Sequence, residues 1–211
     1  VAAVEGIHQI TTGNLVSLSE QELVDCVPRN KGCHGGSRVK AFKYIIRNGG
    51  ISSEADYPYT GVAGTCDIYK KAYPAAQIKG YKAVPANDEK ELQRAVAKQP
   101  VSAAIDSTGS FHYYTGGVFR VKAKGGNVLR HGVTIVGYGS TVDGTKYWIL
   151  KNSWGTEWGE KGYMRMQRGI DAKEGLRGIA MKALRHRCQR RSARHCHEGL
   201  LPNARLKFSG M

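Results

Sequence analysis

The feature that most constrains the fold of this chain is a change in hydrophobic periodicity between its two halves. Apolar residues recur at helical spacing from Val1 and stop at Gly13, which is typical of a helix C-terminus. Ser19, with Glu22 three residues later, forms a capping box that predicts a second helix. A third pattern of helical spacing covers residues 39–46. The first half is therefore predicted to be mainly helical.

The second half has the pattern of a β protein. One amphipathic helix is predicted over residues 88–98. After it, short β-rich runs alternate with glycine-rich turns, as in a small barrel or a curled antiparallel sheet. The predicted strands are residues 101–105, 117–121, 131–138, 146–151 and 162–167. We therefore predict an α+β protein with a helical lobe over residues 1–83, a β-barrel lobe over residues 84–182 and a cleft between them.

Composition and charge exclude several classes of protein. An apolar fraction of 41% with 9% aromatic residues argues against disorder, and no apolar run approaches the ~20 residues that span a bilayer. The net charge is +15, but residues 183–211 hold seven of the 32 basic and one of the 17 acidic residues. The other basic residues are scattered and form no stripe interleaved with aromatics. This favours a soluble globular protein with no nucleic-acid or membrane partner.

Two separated residues have the types required for nucleophilic catalysis. His131 lies in the segment LRHGV, and Asn152 follows 21 residues later in KNSWGTEWG. A histidine held in one tautomer by a neighbouring side chain can serve a thiol or hydroxyl as a base. A lone histidine is more often a satisfied core or surface residue, but the flanking motifs favour the catalytic interpretation. His131 and Asn152 are therefore the candidate catalytic residues.

Five ordered motifs over about 180 residues carry a resemblance to a known family. They are residues 17–26 (SLSEQELVDC), 32–36 (GCHGG), 57–59 (YPY), 131–133 (HGV) and 147–155 (YWILKNSWG). With these motifs, residues 1–182 resemble the papain-family cysteine endopeptidases, of the cathepsin L-like, plant type. The resemblance implies a two-lobe fold with a helical left lobe and an antiparallel β-barrel as the right lobe.

The resemblance also implies the roles of the candidate residues. His131 would be the general acid and base, Asn152 would orient it, and Trp154 would shield their hydrogen bond, although a purely structural role for Trp154 is an equal alternative. In this family the nucleophilic cysteine and an oxyanion glutamine would lie before Val1. We therefore expect a missing upstream segment, and no cleavage by the chain as written. The resemblance implies no cofactor and no metal.

The cysteines are interpreted by the same resemblance. Cys26 and Cys66 match a family disulfide, and Cys33 matches a residue whose partner would lie upstream. Gly125 and Arg177 occupy the two positions of a third family disulfide, so that covalent link is absent. None of the three cysteines of residues 1–182 is expected to replace the nucleophile.

The resemblance further implies a peptide-binding cleft. Gly35 and Gly36 would pair with an extended substrate, although a plain turn is the alternative. Ala104, Leu129 and Gly132 would line the pocket for the second residue on the acyl side of the scissile bond, and Trp154 and Lys182 are further candidate binding residues.

Three departures from the family pattern alter this pocket and the candidate base. Ser37 and Arg38 stand where aromatic or apolar residues are usual, and Lys182 falls near the pocket floor. Two cations at its border suggest tolerance of acidic or polar side chains. Arg130 replaces a frequent Asp beside His131, and a neighbouring cation disfavours the imidazolium.

Residues 183–211 do not resemble the end of the family sequence. Four residues there could suggest a metal site, namely Cys188, His195, Cys196 and His197, but their spacing fits no usual zinc pattern. A basic nucleic-acid-binding tail is a second alternative. The preferred interpretation is a disordered, non-native extension.

The expected partners and location also come from the resemblance. Peptides or proteins would be the substrates, and cystatin-like proteins or a pro-segment would be inhibitors of a monomeric enzyme. The location would be the vacuole, the lysosome or the outside of the cell, and a disulfide suits such an oxidising route. The alternative function is an inactive papain-like homologue that binds peptides.

Overall fold

The computed structural model describes residues 1–123 and 128–186. Its helices are α1 (Ala2–Thr12), α2 (Glu20–Cys26), α3 (Arg38–Arg47) and α4 (Glu89–Val96). Its strands are β1 (Tyr81–Ala83), β2 (Val101–Ile105), β3 (Val118–Phe119), β4 (His131–Ser140), β5 (Lys146–Lys151), β6 (Tyr163–Gln167) and β7 (Ala183–His186). Within this part of the chain, the helices of the first half precede a second half dominated by strands.

The helix ends follow the local sequence signals. Gly13 has φ 78°, and its N–H caps α1 by bonding to the Gln9 carbonyl, because glycine enters the left-handed region without a Cβ penalty. The Ser19 side chain accepts the Glu22 N–H at 2.9 Å and starts α2, as the capping box predicts. Asp88 accepts the Glu91 N–H in the same way and starts α4.

The strands form one seven-stranded sheet in the order β1-β7-β2-β4-β5-β6-β3. All pairs are antiparallel except β3 with β6. β4 lies between β2 and β5, and its register places His131 opposite Ile105 and Gly132 opposite Ala104. The sheet therefore brings the first residues of β4 to the end of β2.

Two apolar cores support the two halves. The larger packs α4 against the sheet, with Leu92, Ile135 and Trp148 fully buried. The smaller packs the helices of the first half together and includes Leu184 of β7. β7 therefore contributes to the core beneath the helices while it pairs with β1 and β2 of the sheet.

The assignment of residues 183–186 to a disordered tail is wrong, because these residues form β7. Ala183 is buried in the larger core and Leu184 in the smaller one, and this burial stabilises the strand. The basic residues around Arg185 give no sign of it in the sequence. Likewise, β1 lies inside the predicted helical lobe but belongs to the sheet. Residues 187–211, with the histidines and cysteines of the tail, lie outside the described residues, as does Gly125.

Across residues 1–123 and 128–186, none of the helices combines the length and the apolar character that crossing a bilayer requires.

Candidate active site

His131 and Asn152 are hydrogen-bonded to each other. His131 begins β4 and Asn152 follows the end of β5, so the pairing of these adjacent strands brings the two side chains together. Nε2 of His131 lies 2.7 Å from Oδ1 of Asn152, and the same oxygen accepts the Ser153 N–H at 2.9 Å. A carbonyl oxygen only accepts, so Nε2 carries the proton in this pairing. The neutral ring then has its lone pair on Nδ1, available to take a proton.

Aromatic rings surround this hydrogen-bonded pair. The Trp154 ring lies 4.8 Å from the His131 ring and 4.8 Å from His112, on which it stacks. Phe111 is fully buried and presents an edge to the imidazole at 6.3 Å. Trp154 therefore packs against the imidazole of the pair. Phe111 and His112 were missed by the sequence interpretation, because no local motif marks them.

Burial lowers the pKa of His131 below its ordinary value. The hydrogen bond that His131 donates to Asn152 opposes this shift, and the charge of His112 adds to it. The sequence interpretation expected the same direction from Arg130, which is exposed and bonds through its N–H to the Ile105 carbonyl. The pKa of His131 is therefore lowered, as expected, but by burial and His112 rather than by Arg130.

The Asn152 hydrogen bond gives a testable pKa effect. Asn152→Ala is expected to lower the pKa of His131 further, because the charged ring loses a favourable acceptor while it stays buried. An NMR pH titration of the His131 Cε1 proton measures this in the chain as it stands. Asn14→Ala, at an exposed site after α1, is the control. An unchanged or raised His131 pKa in Asn152→Ala would contradict the assigned role.

The predicted pocket residues converge beside His131. Ala104 pairs with Gly132, and the Ala104 N–H bonds to the Lys182 carbonyl at 3.1 Å. The same carbonyl accepts a hydrogen bond from Arg38 at 2.9 Å. The Arg38 Cδ lies 4.0 Å from the position that a Cβ on Gly132 would take. The chain therefore places Arg38 across from the strand residue that follows the candidate base.

The other predicted binding residues lie in two separate segments of the chain. Leu129 is partly buried in the segment leading to β4. Gly35 and Gly36 follow a short 3₁₀ turn and line a cavity of about 320 Å³ with Ser37, the residue before Arg38. Gly35 has φ 95°, and a Cβ on Gly36 would lie 2.5 Å from the Asn30 side chain. Glycine is thus required by conformation at the first position and by space at the second.

Comparison with known proteins decides the family. The profile described as "Papain family cysteine protease" matches residues 1–185. The chain belongs to the papain family.

Papain-family relatives and solved structures agree in sequence and fold. A vignain from Ricinus communis is 60% identical over 185 residues, or 87% of this chain and 51% of that protein. The cysteine endopeptidase RepA from Oryza sativa subsp. japonica is 55% identical over 87% of this chain and 49% of its own length. The chain thus spans about half the length of these curated relatives.

Among solved structures, the bromelain protease from Ananas comosus in complex with the E64 inhibitor has a TM-score of 0.84 at 44% identity, over 90% of this chain and 86% of that one. The ragweed pollen allergen Amb a 11, a cysteine protease in its proform, has a TM-score of 0.85 at 47% identity, over 90% and 57%. These similarities confirm the predicted papain-like α+β fold.

Among the described cysteines, two form a disulfide and one is free. Cys26 and Cys66 form the bond that the family resemblance implies, at a sequence separation of 40. Cys33 is exposed and free, and its Sγ lies 3.5 Å from the Gly61 carbonyl. Arg177 stands where the family resemblance places a cysteine, and its side chain is buried against Asp106.

Proposed function

We propose that this chain forms most of a papain-like cysteine endopeptidase whose nucleophilic thiol is supplied by a segment upstream of Val1. The observation that carries the proposal is the 2.7 Å contact between His131 and Asn152, which leaves the Nδ1 lone pair free. A base oriented in this way suits a thiol nucleophile. The relatives named as endopeptidases support the same reaction class.

The proposed reaction has two half-reactions. Nδ1 of His131 takes the thiol proton, and the thiolate attacks the peptide carbonyl. The resulting imidazolium donates that proton to the departing amine, which leaves a thioester. Water then attacks the thioester carbonyl while His131 accepts its proton. The C–S bond breaks, the carboxylic-acid product leaves, and His131 returns the proton to the thiolate. Asn152 holds the ring throughout, and Trp154 limits the access of water to their hydrogen bond.

The proposed substrate site combines the pocket beside His131 with the adjacent glycine pair. Gly35 and Gly36 would bond to an extended peptide backbone, and side chains would enter the space beside the residues Ala104, Leu129, Gly132, Trp154 and Lys182. Peptides and proteins would be the substrates, and cystatin-like proteins or a pro-segment the inhibitors. The solved relatives with E64 and in a proform support this expectation.

We further propose that the enzyme is a monomer in the vacuole, the lysosome or the extracellular space. The Cys26–Cys66 disulfide supports a secretory route.

Covalent labelling tests the proposed chemistry. The chain is joined to the upstream segment of the Ricinus vignain with Cys33 kept, because by resemblance that segment also holds the partner of Cys33. A matched variant in which the nucleophilic cysteine is replaced by serine is the control. We expect one equivalent of E64 by intact mass, and hydrolysis of a fluorogenic peptide that E64 abolishes. No labelling and no hydrolysis, with peptide binding retained, would instead support an inactive peptide-binding homologue.

A further inference from the structure

One side of the proposed substrate site is strongly cationic. The cavity beside Gly35 and Gly36 is lined by the basic side chains of Arg29, Lys31, His34 and Lys40, with no carboxylate among its lining residues. Arg38 follows Ser37 in the chain, and its Cδ lies 4.0 Å from the position that a Cβ on Gly132 would take. We call these five basic residues the cationic wall.

The wall lacks internal charge compensation. In residues 1–123 and 128–186, no carboxylate oxygen lies within salt-bridge distance of any member of the wall. Lys40 instead donates to the Arg29 carbonyl at 2.7 Å, which holds its ammonium at the cavity. Several like charges held together without counter-charges attract an anionic ligand.

Arg38 is the most constrained member of the wall. Its guanidinium donates to Ser102 Oγ at 3.3 Å and to the Lys182 carbonyl at 2.9 Å, both neutral acceptors. These contacts occupy two of its five N–H donors and leave others available to a carboxylate. Burial lowers the pKa of Arg38 to about 10, so the group is partly desolvated yet remains charged at neutral pH. A partly desolvated cation without a counter-ion is stabilised when a ligand supplies one.

We propose that the site selects acidic peptides, with Arg38 binding the carboxylate of a Glu or Asp that enters the pocket beside Gly132, and the cavity receiving a further acidic residue. This inference rests on the proposed endopeptidase function and specifies its substrate class. A peptide is favoured over a polynucleotide because the wall adjoins the candidate base and the glycine pair suited to a peptide backbone.

Matched peptide pairs test the proposal by cleavage. In the nucleophile-bearing enzyme, a peptide with Glu in the Arg38 pocket is expected to have about tenfold higher kcat/KM than its Gln isostere, the scale of one charge-assisted bond. Arg38→Gln should bring the ratio close to one. Lys43→Gln, at an exposed position of α3 outside the cavity, should leave the ratio unchanged. High salt should reduce the wild-type preference.

A binding measurement separates failure of this inference from failure of the proposed function. Fluorescence anisotropy of labelled Glu and Gln peptides on the chain as it stands requires no thiol. A Glu preference there supports the cationic wall even if no peptide is cleaved.

Equal binding and cleavage of both peptides would overturn the inference while the endopeptidase function stands, as would a preference that survives Arg38→Gln. If Arg38→Gln does not fold, the double variant Lys31→Gln with Lys40→Gln tests the cavity instead. This variant should lose the preference for a peptide with a second Glu in the cavity, and retention of the full preference would count against the inference. Tighter binding of a labelled oligonucleotide than of the Glu peptide would also overturn it.

Discussion

Replacing His131 by alanine in the nucleophile-bearing enzyme is expected to lower kcat by about 10⁴- to 10⁶-fold, because members of a catalytic triad act as a unit. The ring that accepts the thiol proton and returns it to the leaving amine would be lost. The Nε2–Oδ1 contact of 2.7 Å shows that the ring is already held in one orientation. Steady-state hydrolysis of a fluorogenic peptide measures the effect, with substrate present above KM.

A matched histidine and a second readout make this result specific. His8 is a partly exposed residue of α1 outside the candidate site, and His8→Ala should change kcat by less than about twofold, because it takes no part in the proposed proton transfers. The alkylation rate should also change its pH profile. With His131 present, the proposed ion pair is expected to keep the thiolate reactive below the usual thiol pKa, whereas His131→Ala should restore a titration near 8.5. A loss of only a fewfold with an unchanged profile would remove His131 from the proposed mechanism.

Regular elements with strong local signals were predictable from sequence. The predicted strands at residues 101–105 and 146–151 agree with β2 and β5, because both alternate buried and less buried residues along one sheet. The helix starts at Ser19 and Asp88 agree because capping is a local interaction. β7 was missed because Leu184 is buried in a core built by distant helices, which no local pattern reveals.

In the candidate site too, the residues that local motifs mark were predictable from sequence, and the contacts that depend on tertiary packing were not. The spacing of the motifs around His131 and Asn152 predicts a pair that the sheet register then brings into contact. The aromatic contacts of Phe111 and His112 depend on how the segment that follows β2 packs against His131 and Trp154, so local sequence does not contain them. Arg38 was recognisable as a departure from a family pattern, but its two neutral acceptors follow only from tertiary packing.

Arg177, at a position where the family resemblance implies a disulfide cysteine, links chain segments by noncovalent contacts. Its guanidinium donates to the Val121 carbonyl and the Thr108 carbonyl, each at 2.8 Å, and lies 3.7 Å from the Asp106 carboxylate. Both charged side chains are almost completely buried. Asp106 directly follows Ile105, the register partner of His131, and accepts the Val128 N–H in the segment that leads to β4. The pair thus ties three chain segments together next to the candidate base.

Arg177→Ala is therefore expected to lower the free energy of unfolding by about 3–5 kcal/mol, since it leaves a buried carboxylate without its counter-charge. Urea denaturation of the chain as it stands measures this. Arg120→Ala breaks an exposed pair with Asp143, which has a similar 3.6 Å separation, and should cost no more than about 1 kcal/mol.

Burial alone would raise the pKa of Asp106, but hydrogen bonds from Thr108 and Val128 together with Arg177 hold it below its ordinary value. The native carboxylate therefore contributes stability above the unfolded pKa, and this contribution is lost as the pH falls through the lower folded pKa. In Arg177→Ala the Asp106 pKa should rise, so acid unfolding should begin at a higher pH than in the wild type. The double variant Arg177→Ala with Asp106→Asn should recover part of the stability, because no unpaired charge then remains buried. If Arg177→Ala lowers the free energy of unfolding no more than Arg120→Ala does, and the double variant recovers none of it, packing alone holds the segments and Arg177 is dispensable.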